Sequence, residues 1–179
     1  MTFPAAALLV CIVALFSVQH GTAVAQPVDA AFRQILNAEP IPCNDVQGCY
    51  CAIYSRSTPP PSAAYARARV CPSSDGKIEF TAWDTFGNKV DEGEFMGGRR
   101  TGAWTSWHPN GARAAEVRFV SGKQTGPFKA WHANGKLAVV GQYLDGRQNG
   151  TWLHYNPNGS LKNRQAWEYG VLKHETMRK

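Results

Sequence analysis

Two imidazoles in equivalent places are the first residues in this chain that could do chemistry. His108 sits in WHPNG at residues 107 to 111 and His132 in WHANG at 131 to 135, with a looser YNPNG at 155 to 159. Paired histidines invite a metal reading, but spacing argues against it. Copies of a hairpin advance by two strands, roughly 9 to 10 Å, whereas each ligand of one metal must lie within about 2.5 Å of it. His154 falls in a different register. Turn or surface histidines are expected, with no metal and no cofactor. Four cysteines, Cys43, Cys49, Cys51 and Cys71, lie close together. They contain no C-x2-C pair, and the one residue between Cys49 and Cys51 makes a poor chelate turn, so two disulfides are expected rather than zinc. A bridge from Cys49 to Cys51 would be strained, which leaves Cys71 bonded to one of them and Cys43 to the other. The chain holds no G-x-S-x-G, no H-E-x-x-H and no phosphate-cradling glycine loop between strand and helix. A non-catalytic protein is expected.

Two further sets could bind a ligand. Trp83, Trp107, Trp131 and Tyr155 recur every 24 residues, and so do Arg99, Lys123 and Arg147. A repeating aromatic row suits an extended glycan or peptide, while packing with cations beside the rings explains the same residues without a ligand. A cationic rail suits anionic envelope polymers, lipid head groups or an acidic protein, and equally keeps turns soluble and guards a sheet edge. Charge is unevenly placed. Glu79, Asp84, Asp91, Glu92 and Glu94 crowd one stretch, whereas ten basic residues between Phe95 and Arg164 face only Glu116 and Asp145.

The elements that would position these residues follow from the same period. Gly98, Gly122, Gly146 and Gly170 are 24 apart, as are Gly102, Gly126 and Gly150, and Gly87, Gly111, Gly135 and Gly159. Phe80, Trp104, Phe128 and Trp152 keep the step, and so do Phe95, Phe119, Tyr143 and Trp167. Several registers holding one period over four units mark a repeat array. Asn-Gly at 110/111, 134/135 and 158/159 predicts type I′ turns and therefore β-hairpins. The first copy has Phe86-Gly87-Asn88 there instead. A two-residue turn would set Pro109 against Ala112, Trp107 against Ala114 and Trp104 against Val117. Alternation then puts Trp104, Val117 and Phe119 on the core face and Trp83, Trp107, Trp131 and Tyr155 on the opposite one. Between hairpins, GGRRTG, SGKQTG and DGRQNG supply the next reversals.

The units read G-x-W-x-x-W/Y-x-x-N-G followed by aromatic-x-x-G-[KR]-x-x-G. In this they resemble the bacterial variant of the MORN repeat over residues 77 to about 172. The resemblance implies an all-β meander that serves binding or scaffolding, with no catalytic residues. Proteins similar to this family are sometimes labelled antitoxins of toxin–antitoxin pairs, a label that an exported chain makes awkward.

Before the repeats, residues 1–25 carry an apolar run from Ala5 to Phe16 and Ala23-Val24-Ala25 ahead of Gln26, which predicts a secretory signal peptide. Cys11 lies inside that run and lacks the surroundings of a lipid-attachment site. All 19 Lys and Arg and all 13 Asp and Glu lie after it, so an exported chain keeps the formal charge of +6. Export makes nucleic acid a poor partner and favours disulfides. Residues 26–76 form a cysteine-containing segment, with a short helix expected in PVDAAFRQILNAE and two strands at 50–55 and 64–70 around a proline loop. Residues 77–172 are the four repeats and 173–179 a tail. The expectation is an all-β, elongated antiparallel hairpin sheet with a disulfide-stapled cap, placed in the periplasm or outside the cell. Its expected partner is another protein, with envelope glycan or anionic lipid as the alternative.

Overall fold

The computed structural model describes residues 39–42, 49–53 and 67–177. They form one sheet of twelve antiparallel strands in sequence order: β1 (Glu39–Pro42), β2 (Tyr50–Ile53), β3 (Arg67–Pro72), β4 (Lys77–Trp83), β5 (Lys89–Met96), β6 (Arg99–Trp107), β7 (Arg113–Val120), β8 (Lys123–Trp131), β9 (Leu137–Leu144), β10 (Arg147–Tyr155), β11 (Leu161–Glu168) and β12 (Val171–Met177). No helix occurs among the described residues. From β3 onward every reversal is a tight turn, which can join only antiparallel neighbours, so this part of the sheet is an open meander. The helix expected at 27–39 falls on residues outside the described part, except that Glu39 begins β1. That strand was not foreseen from its prolines. Pro40 and Pro42 are tolerated because β1 is an edge among the described residues. At the other end, β12 carries residues expected in the tail as far as Met177.

The turns at Asn-Gly differ from the sequence reading. At the Asn-Gly loops, Gly111 N donates to His108 O at 2.9 Å and His108 N to Ala112 O at 2.8 Å, and the loops at 132–136 and 156–160 repeat the pattern. Among these loop residues only the glycines have positive φ, 79° at Gly111 and at Gly135 and 92° at Gly159. These are therefore type I turns closed by a glycine bulge, not type I′. The cause is local. Asn110 Oδ1 accepts the Ala112 N–H at 3.1 Å, and Asn134 and Asn158 do the same for Lys136 and Ser160, a side-chain turn that serves the asparagine outside the left-handed region. The first copy closes alike, with Gly87 N on Asp84 O. Type I′ geometry appears instead between hairpins, where Gly97-Gly98, Ser121-Gly122, Asp145-Gly146 and Tyr169-Gly170 all have positive φ at both residues. The extra loop residue changes the register. Trp104 faces Val117 as expected, but a bulge after Ser106 sets Trp107 against Arg113 rather than Ala114.

A second irregularity recurs at Gly102, Gly126 and Gly150, each at positive φ and each inside a shift in strand register. The kink aims the aromatic two residues later across the neighbouring strand. Trp104 lies over Gly93 and Trp152 over Gly141 so closely that a Cβ on either glycine would come within 2.3 Å and 2.2 Å of the indole. In the copy between them, Phe128 pairs with Val117. A smaller ring thus meets a larger neighbour.

Phe80, Phe95 and Trp104 form a triad with centroids 5.1 to 5.7 Å apart, and Phe128, Tyr143 and Trp152 reproduce it at 5.0 to 5.6 Å. Each member of the second triad is 48 residues beyond its counterpart, as Gly141 is beyond Gly93. The packing period is therefore two repeats. The first triad belongs to a buried cluster with Ala68, Val70, Ile78, Ala82 and Phe119. Burial desolvates Tyr143 and raises its phenol above the usual tyrosine value. Before the repeats, Tyr50 faces Val70, so Cys49 and Cys71 come opposite one another. They are bonded, with Cα atoms 4.2 Å apart. Cys43 and the Cys51 side chain lie outside the described part.

Candidate functional site

The aromatic column lies on the face opposite the core, with every ring half-buried. Cations cover most of it. The Arg67 guanidinium stands 4.6 Å from the Trp83 centroid, Lys89 Nζ 3.8 Å from Trp107 and the Arg113 guanidinium 5.6 Å from Trp131. Lys89 pairs in register with Trp83 and Arg113 with Trp107, so each cation stands between one ring of the column and the next. Leu137 pairs with Trp131 and Leu161 with Tyr155, and these two supply no charge. The stripe therefore runs from alternating cation and indole at its first copies to an apolar strip at its last.

Along the same edge the repeated His-x-Asn-Gly word acts between copies. His108 Nε2 lies 2.8 Å from Trp131 O and His132 Nε2 2.9 Å from Tyr155 O. A carbonyl only accepts, so each Nε2 carries the proton. Asn110 Nδ2 donates to Ala133 O and Asn134 Nδ2 to Pro157 O. Each turn is thus stapled to the next by two side chains. These histidines belong to the turns and are held there as donors to the backbone of the next copy. The first copy lacks both staples, having Asp84 and Phe86 in those positions. There Asp84 binds its own loop through the Asn88 side chain and the N–H groups of Phe86 and Asn88, and the Asn88 amide above all holds its carboxyl below the usual carboxylate value.

The opposite edge carries the cationic rail. Gly122 N donates to Arg100 O, Gly146 N to Gln124 O and Gly170 N to Gln148 O, all within 2.9 Å. The stem of Arg99 lies across Gly122, that of Lys123 across Gly146 and that of Arg147 across Gly170. Rail positions are therefore packing positions whose charged ends reach the surface. Lys123 Nζ meets Asp145 at 2.8 Å; Arg99 and Arg147 form no ion pair among the described residues. The structure brings the members of each set into line and keeps the sets apart, because column and rail occupy opposite ends of the strands.

Residues 124–145 and 148–165 match the family model described as the MORN repeat variant. These residues are repeats of the MORN variant. MORN repeats are in general membrane- and protein-binding units. No curated protein matches the chain. Among solved structures it is similar to Staphylococcus aureus TarM in complex with fondaparinux, α-GlcNAc-glycerol and UDP, at 9% identity and a TM-score of 0.44, over 83% of this chain and 24% of that one. A second TarM structure matches at 9% identity and 0.43, over 82% and 24%. The chain thus spans about a quarter of each TarM chain. The sequence reading missed Gly93 and Gly141, whose signal was an interval of 48. It also missed the staples, whose partners are carbonyls 23 residues away.

Proposed function

We propose that the protein is an exported, non-catalytic repeat scaffold that binds another protein by pairing an extended segment with its outermost strand. The observation that carries this reading is β12. All of its residues are exposed, Val171, Leu172 and Met177 among them, and its outer edge is unpaired among the described residues. Such an edge offers a row of N–H and C=O groups for strand addition, with exposed side chains to set specificity. The edge at β1 is unlike it, since Pro40 and Pro42 carry no N–H. Export is supported by the Cys49–Cys71 bridge, which an oxidising compartment favours.

The rail supports a second reading, attachment to glycan or anionic lipid, because Arg99, Lys123 and Arg147 present charge at a constant step. Affinity capture from envelope extract separates the two. The oxidised chain beginning at Gln26 is compared with a Val171→Lys/Met177→Lys variant, since lysines on an edge discourage pairing, and with a variant carrying Glu at all three rail positions. A protein partner is lost after protease treatment of the extract and with the β12 variant. Capture that survives both, and fails with the rail variant, replaces the first reading by the second.

A further inference from the structure

Four Asn-Gly pairs occur in the chain, at Asn110, Asn134, Asn149 and Asn158. Such a pair can close on itself. The glycine N attacks the asparagine Cγ, forming an N–C bond, and the Cγ–Nδ2 bond breaks. Ammonia leaves with the proton from the glycine N, and a five-membered imide remains. Water then opens the imide at one carbonyl or the other, giving aspartate or isoaspartate. Whether a folded chain permits this depends on how firmly the amide and the turn are held.

The four sites are held differently. Asn110 Nδ2 donates to Ala133 O at 2.7 Å and Asn134 Nδ2 to Pro157 O at 2.8 Å, which fixes each leaving group to the next repeat. Asn149 lies within β10, paired with Gln142, and its Oδ1 accepts the Tyr169 N–H. Asn158 differs on two counts. Its Nδ2 donates to no group among the described residues, and its Oδ1 accepts both the Ser160 N–H at 2.9 Å and the Ser160 hydroxyl at 2.7 Å. Ala112 and Lys136 hold the position of Ser160 in the other two turns and bring no hydroxyl. A donor on Oδ1 withdraws electrons from Cγ and stabilises the oxyanion that forms when nitrogen attacks. The nucleophile is equally engaged in all three turns, since Gly111, Gly135 and Gly159 each donate to a loop carbonyl at 2.8 to 2.9 Å. That bond must open first; the Asn158 turn is held only from the preceding repeat, by Asn134 Nδ2 on Pro157 O and Lys136 Nζ on Asn158 O, while its own amide nitrogen is bound to no further repeat among the described residues.

We propose that Asn158-Gly159 is a site of self-modification, at which the chain converts Asn158 to aspartate and isoaspartate with water as the only co-reactant. The product adds a negative charge beside Lys136, whose Nζ donates to Asn158 O at 2.9 Å. Isoaspartate also lengthens the backbone of the turn by one atom.

The test is peptide mapping of the full oxidised chain after incubation at mildly alkaline pH, resolving aspartate from isoaspartate at each site. In the folded protein, conversion at Asn158 is expected about tenfold faster than at Asn110 or Asn134, the scale of one hydrogen bond. In urea the three sites should converge. Ser160→Ala, an exposed change, should slow Asn158 alone, with circular dichroism confirming the sheet. Equal rates at the three turns of the folded chain would overturn the proposal, as would an unchanged rate at Asn158 in the folded Ser160→Ala protein.

Discussion

At the scale of single residues, the repeated asparagine has two roles. Its Oδ1 closes its own loop at Asn110, Asn134 and Asn158, while its Nδ2 crosses to the next repeat only from Asn110 and Asn134. In a Ser160→Ala background, where Asn158 keeps only its loop bond, Asn134→Ala should therefore cost about 1 kcal/mol more than Asn158→Ala, the net worth of one hydrogen bond. Urea unfolding of the two variants measures this, and equal losses would mean that the staples add nothing. Asp84 makes a pH-dependent counterpart. Its carboxyl is held below the ordinary value chiefly by the Asn88 side chain, so its contribution is present above the unfolded carboxylate range and disappears as pH falls through the folded value. Amide exchange at Phe86 and Asn88 should quicken in that window. In an Asp84→Asn protein the acid response should be gone, and its persistence there would place the titrating group elsewhere.

At the scale of strands and turns, the kinked glycines set each indole over a position that cannot carry a side chain. Gly93→Ala should destabilise by roughly 1–3 kcal/mol through overpacking. The double change Gly93→Ala/Trp104→Phe, which imitates Val117 with Phe128, should return part of that loss. A mutant cycle by thermal unfolding tests the pairing, and strictly additive losses would show that the two residues do not sense one another. The hairpins and the core face were legible because both depend on local period: glycine every 24 residues and aromatics two strands apart. The turn types were not. Asn-Gly suits a type I′ turn in isolation, but the side-chain bond to the residue two ahead leaves the asparagine out of the left-handed region and admits an extra loop residue. The column and rail were legible as sets. Their covering cations and stem contacts were not, because those depend on which residue faces which across a bulge.

At the scale of the whole molecule, the sheet has neighbours only along one dimension, so each strand is stabilised by the strands beside it. Its two borders are unlike: prolines at β1, and at β12 a fully exposed strand. The alternation of Phe80, Trp104, Phe128 and Trp152 adds a rule about length. Excising 100–123 would join Gly93 to Phe128 and leave a void where an indole belongs. Excising 100–147 would join Gly93 to Trp152 and restore a fitted pair. The longer deletion should give the more cooperative melt by calorimetry, and the reverse order would show that the single unit is what packs. For a chain that gains or loses copies by unequal exchange, the step that leaves the interior sound is two.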